Sequence, residues 1–457
     1  FHSMDQFRGF IIFAMYLVHC HLWHLRVFEN HDYHAQFGDM IMPGFIFAVG
    51  FSFRLSIQRR KQAMNHFWLT ASYLRRSLIL ILIVLLMEGF GSLGTWDGMN
   101  NLPRTYVGEA TVEEGATDVG EQNILARLNA LQGSNNNADG VEVDAETDED
   151  EAWFPNHFCM HWWHWILGIF HRQICEVLGI IAVTQFVILP LILTSARVRI
   201  IAMFLFALAH PFISAWFGWN YQWGQPNVVD DFLNFTPMRG WDGGLFGNIS
   251  WAAVMLAGSL SYDFVNKFNI SWKSAGQMAA LGAILMVVGY LGSIPSTMYN
   301  LNGENQAELA NQEREFAEHP FVPPSEAVSE HSFTDWFPPL PILQSDEEWQ
   351  VARNYWMMSK RIVSLPYVLF SIGFCFALFA FFIAMSDILG VKIGVFRTLG
   401  TNALIAYAVH FLVLRYVAGL FPQGAPDWFK FVQFGFFFAI MYLILFSLER
   451  RKLFIRL

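Results

Sequence analysis

Apolar runs of about 20 residues recur along the chain, separated by short polar or charged connections. A run of that length crosses a bilayer as an α-helix, at 1.5 Å per residue. Ten such spans are read, at roughly 6–26, 39–57, 72–91, 170–193, 198–217, 247–266, 275–296, 362–386, 398–418 and 428–448. The pattern predicts an all-α, polytopic transmembrane helical bundle of about 10 spans. It forms a single domain over 1–457, with two long acidic extracytoplasmic loops at 92–157 and 298–358.

Charge supports this alternation. Arg54, Arg59, Arg60, Lys61, Arg75 and Arg76 fall on one side if ten spans are right. They are joined there by Arg197 and Arg199, Lys267 and Lys273, Lys392 and Arg397, and the tail Arg450, Arg451, Lys452 and Arg456. Loops rich in Lys and Arg stay cytoplasmic, so both termini are expected in the cytoplasm. The sequence is read as an integral protein of a bacterial inner membrane. The other side carries the acidic loops: residues 92–157 hold fourteen Asp and Glu against Arg104 and Arg127, and residues 298–358 hold eleven against Arg314 and Arg353.

Composition narrows the function classes. The chain is 54% hydrophobic and 14% charged, against about 25% charged in an ordinary soluble domain. A soluble globular protein, a disordered chain and a disulfide scaffold are excluded. Net charge of -10 argues against nucleic acid as a partner. Cys20, Cys159, Cys175 and Cys375 lie in or beside apolar runs without a CxxC pair, and read as small apolar filler. The acidic segment 134–151 reads as a solvated loop, with weak calcium ligation by Asp139, Glu142 and Asp144 as the alternative. Asn234-Phe-Thr is a glycosylation sequon only in a eukaryote.

Ionisable side chains within a membrane are costly and therefore functional candidates. Most here are histidines. His19, His21 and His24 lie toward the outer half of span one, and His31 and His34 in the loop before Asp39. His210 and His410 lie in spans five and nine, and Glu88 and Glu176 in or near spans three and four. His157, His161, His164 and His171 fall on one helical face among Trp162, Trp163 and Trp165. That face reads as an interfacial aromatic belt, with a metal, haem or chlorophyll-type site as the alternative. No metal site is assigned.

Three stretches, in order, resemble the heparan-α-glucosaminide N-acetyltransferase family of membrane acyltransferases. They are Ser3-Met-Asp5-Gln-Phe-Arg8-Gly9, Asp39-Met-Ile-Met-Pro43-Gly-Phe-Ile-Phe-Ala-Val-Gly50, and Gly400-Thr-Asn402-Ala-Leu-Ile-Ala-Tyr407-Ala-Val-His410. Gly244-Leu-Phe-Gly247-Asn-Ile, Ser364-Leu-Pro-Tyr367 and Arg450-Arg-Lys-Leu-Phe add weaker matches. The resemblance implies a helical bundle that passes an acetyl group from cytoplasmic acetyl-CoA, as co-substrate, to an amino sugar or glycan across the membrane.

It also implies a catalytic histidine in the first outward loop, which is His31, with His34 as the alternative. The loop is about two residues shorter than the family pattern at this point. An imidazole can take a proton from an attacking amine or carry the acyl group itself. Asp39 would orient it, and Asn402 with His410 would stabilise the acyl oxygen. Asp5, Arg8 and Gly9 would face the CoA phosphates, with an Arg8–Asp5 pair as the alternative for Arg8.

The chain departs from the family in two places. His19 stands where the family has Asn, and Glu176-Val-Leu-Gly-Ile180 replaces Gly-Val-Leu-Gln-Arg. These departures, the aromatic richness (46 Phe and 17 Trp) and the acidic loops keep a second reading open. In it the chain is a non-catalytic subunit of a larger respiratory or photosynthetic membrane complex, with partner proteins docked on it. A transporter or cofactor-binding protein using the histidine face is a third.

Overall fold

A computed structural model of the chain describes residues 2–20, 34–92 except 62 and 64, 177–225, 227, 228, 232, 242–299, 316–323 except 318, 336–342, 351–421, 426 and 428–454. The chain is an all-α polytopic membrane protein. Eleven α-helices follow in order: α1 His2–His19, α2 Ile41–Arg60, α3 His66–Ser92, α4 Val177–Ile192, α5 Ala196–Phe217, α6 Gly244–Phe268, α7 Trp272–Gly292, α8 Leu365–Phe382, α9 Gly394–Thr401, α10 Ala403–Ala418 and α11 Trp428–Arg450. Among the described residues there are no β-strands; isolated bridges join His34 to Met358 and Phe316 to Arg353.

Each of the ten expected spans contains a helix. Six of them are long and apolar enough to cross a membrane, and a seventh is a pair of helices, α9 and α10, bent by 92° at Asn402. α4 is shorter, at 16 residues. α1 and α6 carry too many polar groups to stand out by apolarity, because they are inside the bundle. From Trp251 to Ala257, α6 is completely buried. Of the apolar stretch through α2, 72% is buried, against 17% for α11, so α2 is central and α11 peripheral. Exposed Leu205 and Phe212 on α5, Ile284 and Val287 on α7 and Leu443 on α11 offer the apolar outer face that lipid would cover.

Local chemistry sets the helix ends. The Ser195 hydroxyl accepts from the Val198 N–H and starts α5. Ser271 and Ser274 form a reciprocal capping box at the start of α7. Pro366 sits in the first turn of α8, where its missing N–H costs nothing.

The central helices meet backbone to backbone through glycines. A methyl group at Gly50 of α2 would strike the Met255 carbonyl of α6, and one at Gly258 of α6 would strike the Phe47 carbonyl of α2. Lipid offers helices no hydrophobic drive to associate, so close van der Waals approach through small residues matters more than in water.

One end of the bundle is fixed by charge. Arg54 of α2 donates to both oxygens of Asp263 on α6, at 3.0 and 3.2 Å. Arg199 of α5 is fully buried, donates to the same carboxylate, and reaches the Ser259 hydroxyl at 2.8 Å. The hydropathy pattern places Arg54 and Arg199 with the connecting segments; both instead lie inside helices and are buried. The amide of Gln6 on α1 pairs with the backbone of Ile393 at the start of α9. Arg397 of α9 in turn binds Glu449 of α11 at 3.0 Å. The start of α1 and the end of α11 therefore lie at the same end of the bundle.

Candidate functional site

Asp39 sits in a 3₁₀ turn, Gly38–Met40, that leads into α2. It is completely buried. Its Oδ2 accepts from the Gln36 N–H at 2.9 Å, which closes a local turn and fixes the carboxylate against the chain just before it. The Tyr367 hydroxyl of α8 donates to the Asp39 carbonyl at 2.6 Å. The Ile342 N–H donates to the Ala35 carbonyl at 3.1 Å, so segment 336–342 also holds this turn. His34 is buried and its backbone bridges to Met358. His31 lies outside the described residues, as do His21, His24, Glu176, Cys159, Cys175, Asn234 and the histidine face from 157 to 171.

A second polar group lies where α1 meets α10. His410 is completely buried, and its Nε2 is 2.8 Å from Nδ1 of His19. The two rings stack, with centroids 4.9 Å apart and planes 11° from parallel. The other ring nitrogen of His410, Nδ1, meets the carbonyl of Tyr407 one turn back. The Tyr16 hydroxyl of α1 donates to the Ala406 carbonyl of α10 at 3.0 Å, which sets the depth at which the two helices meet. His19 was legible as an ionisable group in span one and as a departure from the family pattern; that it faces His410 could not be read from either segment alone.

Asn402 stands at the 92° break between α9 and α10. Its carbonyl accepts from the Ala406 N–H and begins α10. Its side-chain oxygen and nitrogen are both fully buried, and neither has a hydrogen-bond partner among the described residues. A buried amide left without partners costs about 1–3 kcal/mol. Broken helices in membrane proteins commonly place such groups and free helix N–H donors around a bound molecule. Eight residues of α-helix place Asn402 ~12 Å from His410 along the axis. The two residues therefore face different depths of the bundle and do not meet at one oxygen.

At the shallower end of α1, Arg8 pairs with Asp5 one turn away, the arrangement held as the alternative for Arg8. The pair is about one-third exposed, at 29% and 33%. Gly9 is packed against the Phe396 backbone of α9, and a Cβ at Gly400 would strike the Asp5 carbonyl. These two motif glycines thus bring α1 and α9 into close approach, beside the break at Asn402.

His210 serves packing. Its Nδ1 lies 2.8 Å from the Tyr355 hydroxyl, and Ser214 lies 3.3 Å from its Nε2. Burial pushes the Tyr355 phenol above its usual range, so the hydroxyl keeps its proton and ties the loop before α8 to α5. Among the described residues, no three His, Cys, Asp or Glu side chains are grouped to hold a metal.

The family model described as heparan-alpha-glucosaminide N-acetyltransferase, catalytic, matches residues 1–99. That stretch holds α1, α2, α3 and the turn carrying Asp39, and the match supports the family indicated by the motifs. No curated protein matches the chain.

Proposed function

We propose that this chain is a membrane acyltransferase that moves an acetyl group from cytoplasmic acetyl-CoA to an amino sugar or glycan on the far side. The observation that carries this reading is the pair of buried polar groups on the broken span, Asn402 at its bend and His410 beside His19 of α1, within an apolar bundle whose first 99 residues match the family. The basic helix ends face the cytoplasm under the positive-inside rule. Acetyl-CoA enters there, with Arg8 offering a guanidinium to its phosphates when it leaves Asp5. The unpartnered Asn402 amide then binds along the thin arm of the cofactor, and the thioester reaches the level of His410 and Asp39.

His31 acts as acyl carrier or base, with His34 second, and Asp39 orients the imidazole. The test is transfer of labelled acetyl from acetyl-CoA to glucosamine by the full chain in sealed vesicles. Replacing His31 by Ala should abolish transfer without loss of protein, and replacing His34 should do less. If no acetyl-CoA binds and the chain purifies only in a stoichiometric complex, the fold is a scaffold and the subunit reading replaces the enzyme.

A further inference from the structure

We infer that the chain seats the phosphate of an anionic lipid between Arg60 of α2 and Arg76 of α3, against the ring of Tyr73. The inference stands apart from the acyltransferase reading. Arg59, Arg60 and Lys61 close α2, and Arg75 and Arg76 lie on α3 beside that end. Among the described residues, no carboxylate pairs with any of these cations. Further back along α2 the charges are balanced, since Arg54 and Arg199 share Asp263.

Two of the cations are built into the fold. The Arg60 guanidinium lies 5.8 Å from the centre of the Tyr73 ring, and that of Arg76 lies 5.2 Å from it. Tyr73 is buried, and its hydroxyl donates to Ser56 of α2 at 2.8 Å, which fixes the ring. Arg60 Nη1 donates to the Ser72 hydroxyl at 3.2 Å, and a guanidinium has further N–H donors to offer. Both side chains are half-buried, so part of each reaches the surface. Like charges gathered on one ring repel, and an anion bridging them turns the repulsion into attraction. Paired N–H donors of a guanidinium match two phosphate oxygens.

The neighbouring apolar surface makes that phosphate a lipid's. Leu74, Leu78 and Leu82 recur every fourth residue of α3, share one face and are 37%, 57% and 54% exposed. This stripe starts beside Arg75 and runs along α3 into the apolar span. Before the cations, Phe67 and Trp68 are exposed at the start of the same helix. Aromatic side chains are enriched at headgroup level, and basic segments at the end of a span attract anionic lipid. An acyl chain along the leucines with its phosphate on the arginines uses both surfaces. A free phosphate uses only the cations.

The experiment delipidates the full chain in mild detergent and titrates it with dioleoylphosphatidylglycerol, read by native mass spectrometry. One such lipid should bind about tenfold or more tighter than dioleoylphosphatidylcholine. Arg60→Gln and Arg76→Gln should each weaken it by about fivefold, while Arg451→Gln in the basic tail changes it by less than about twofold. Equal loss in all three variants means a general charge effect and overturns the inference, as does no loss in the first two. Millimolar inorganic phosphate or acetyl-CoA should leave the lipid bound. Displacement by either gives the seat to a free phosphate or to the cofactor and overturns the lipid. Photoreactive phosphatidylglycerol tests the unaltered chain, so the inference does not hang on a variant that folds. Its crosslinks should fall within residues 56–82, and crosslinks confined to other segments overturn the seat.

Discussion

At the scale of single residues, Asn402 shows how a site can be bought at the expense of stability. Both polar atoms of its amide are buried without a partner among the described residues. Replacing such a group by an apolar one of similar shape is often neutral or stabilising. Asn402→Leu should therefore raise or leave unchanged the melting temperature in detergent, and should weaken acetyl-CoA binding by tenfold or more. Thermal unfolding and equilibrium binding on the same preparation check both halves. A fall of several degrees would show that the amide is satisfied in the folded chain. Asn402 and His410 were legible in the sequence, because polar residues in an apolar span stand out. Eight residues of helical rise separate them in depth, which runs against the expectation that both stabilise one acyl oxygen. The pairing of His19 with His410 was not, because it joins residues 391 apart that only the packing of α1 on α10 brings together.

At the scale of elements, hydropathy placed a helix in each of the ten spans, because burial in lipid demands long apolar runs, but it read the bent pair α9 and α10 as one. It was less informative about α1 and α6. These carry Gln6, Asn248, Ser250, Ser259 and Asp263, and they tolerate them by lying inside protein rather than against lipid. The resemblance sets Gly9 against the CoA phosphates, yet Gly9, like Gly50 and Gly400 of the same motifs, lies against a neighbouring helix backbone. This difference can be measured. A methyl group at Gly258 meets the Phe47 carbonyl, whereas at Gly435 of α11 nothing lies within 4 Å. Gly258→Ala should destabilise by about 1–3 kcal/mol through overpacking. Gly435→Ala should be neutral or stabilise by up to about 1 kcal/mol through helix propensity. Equal responses in a thermal or denaturant melt would mean that α2 and α6 are not in close contact.

At the scale of the whole molecule, the question is which helix ends share a side. Phe7 packs on Phe47, and a Cβ at Gly44 meets Ile11, so α1 and α2 run antiparallel and the start of α1 lies beside the end of α2. Arg54, Arg199 and Asp263 then place the start of α5 and the end of α6 at that same level. Gln6, Ile393, Arg397 and Glu449 add α9 and the end of α11. Segment 336–342 lies at the opposite end, since Ile342 pairs with Ala35 just before α2. In a chain whose native cysteines are replaced, Lys61→Cys and Arg451→Cys should react with an impermeant maleimide from one side of sealed vesicles. Leu340→Cys should react only from the other, and the basic side should be cytoplasmic. Labelling of positions 61 and 451 from opposite sides would break the even count of crossings on which the bundle rests. The shared carboxylate makes a sharper demand on the same architecture. Asp263→Ala leaves two buried guanidinium groups facing each other, and loss of one partner from a buried ion cluster costs about 3–5 kcal/mol. Arg54→Leu leaves the Arg199–Asp263 pair intact and should cost less. If Asp263→Ala melts no earlier than Arg54→Leu, the three helix ends are not held together by that carboxylate.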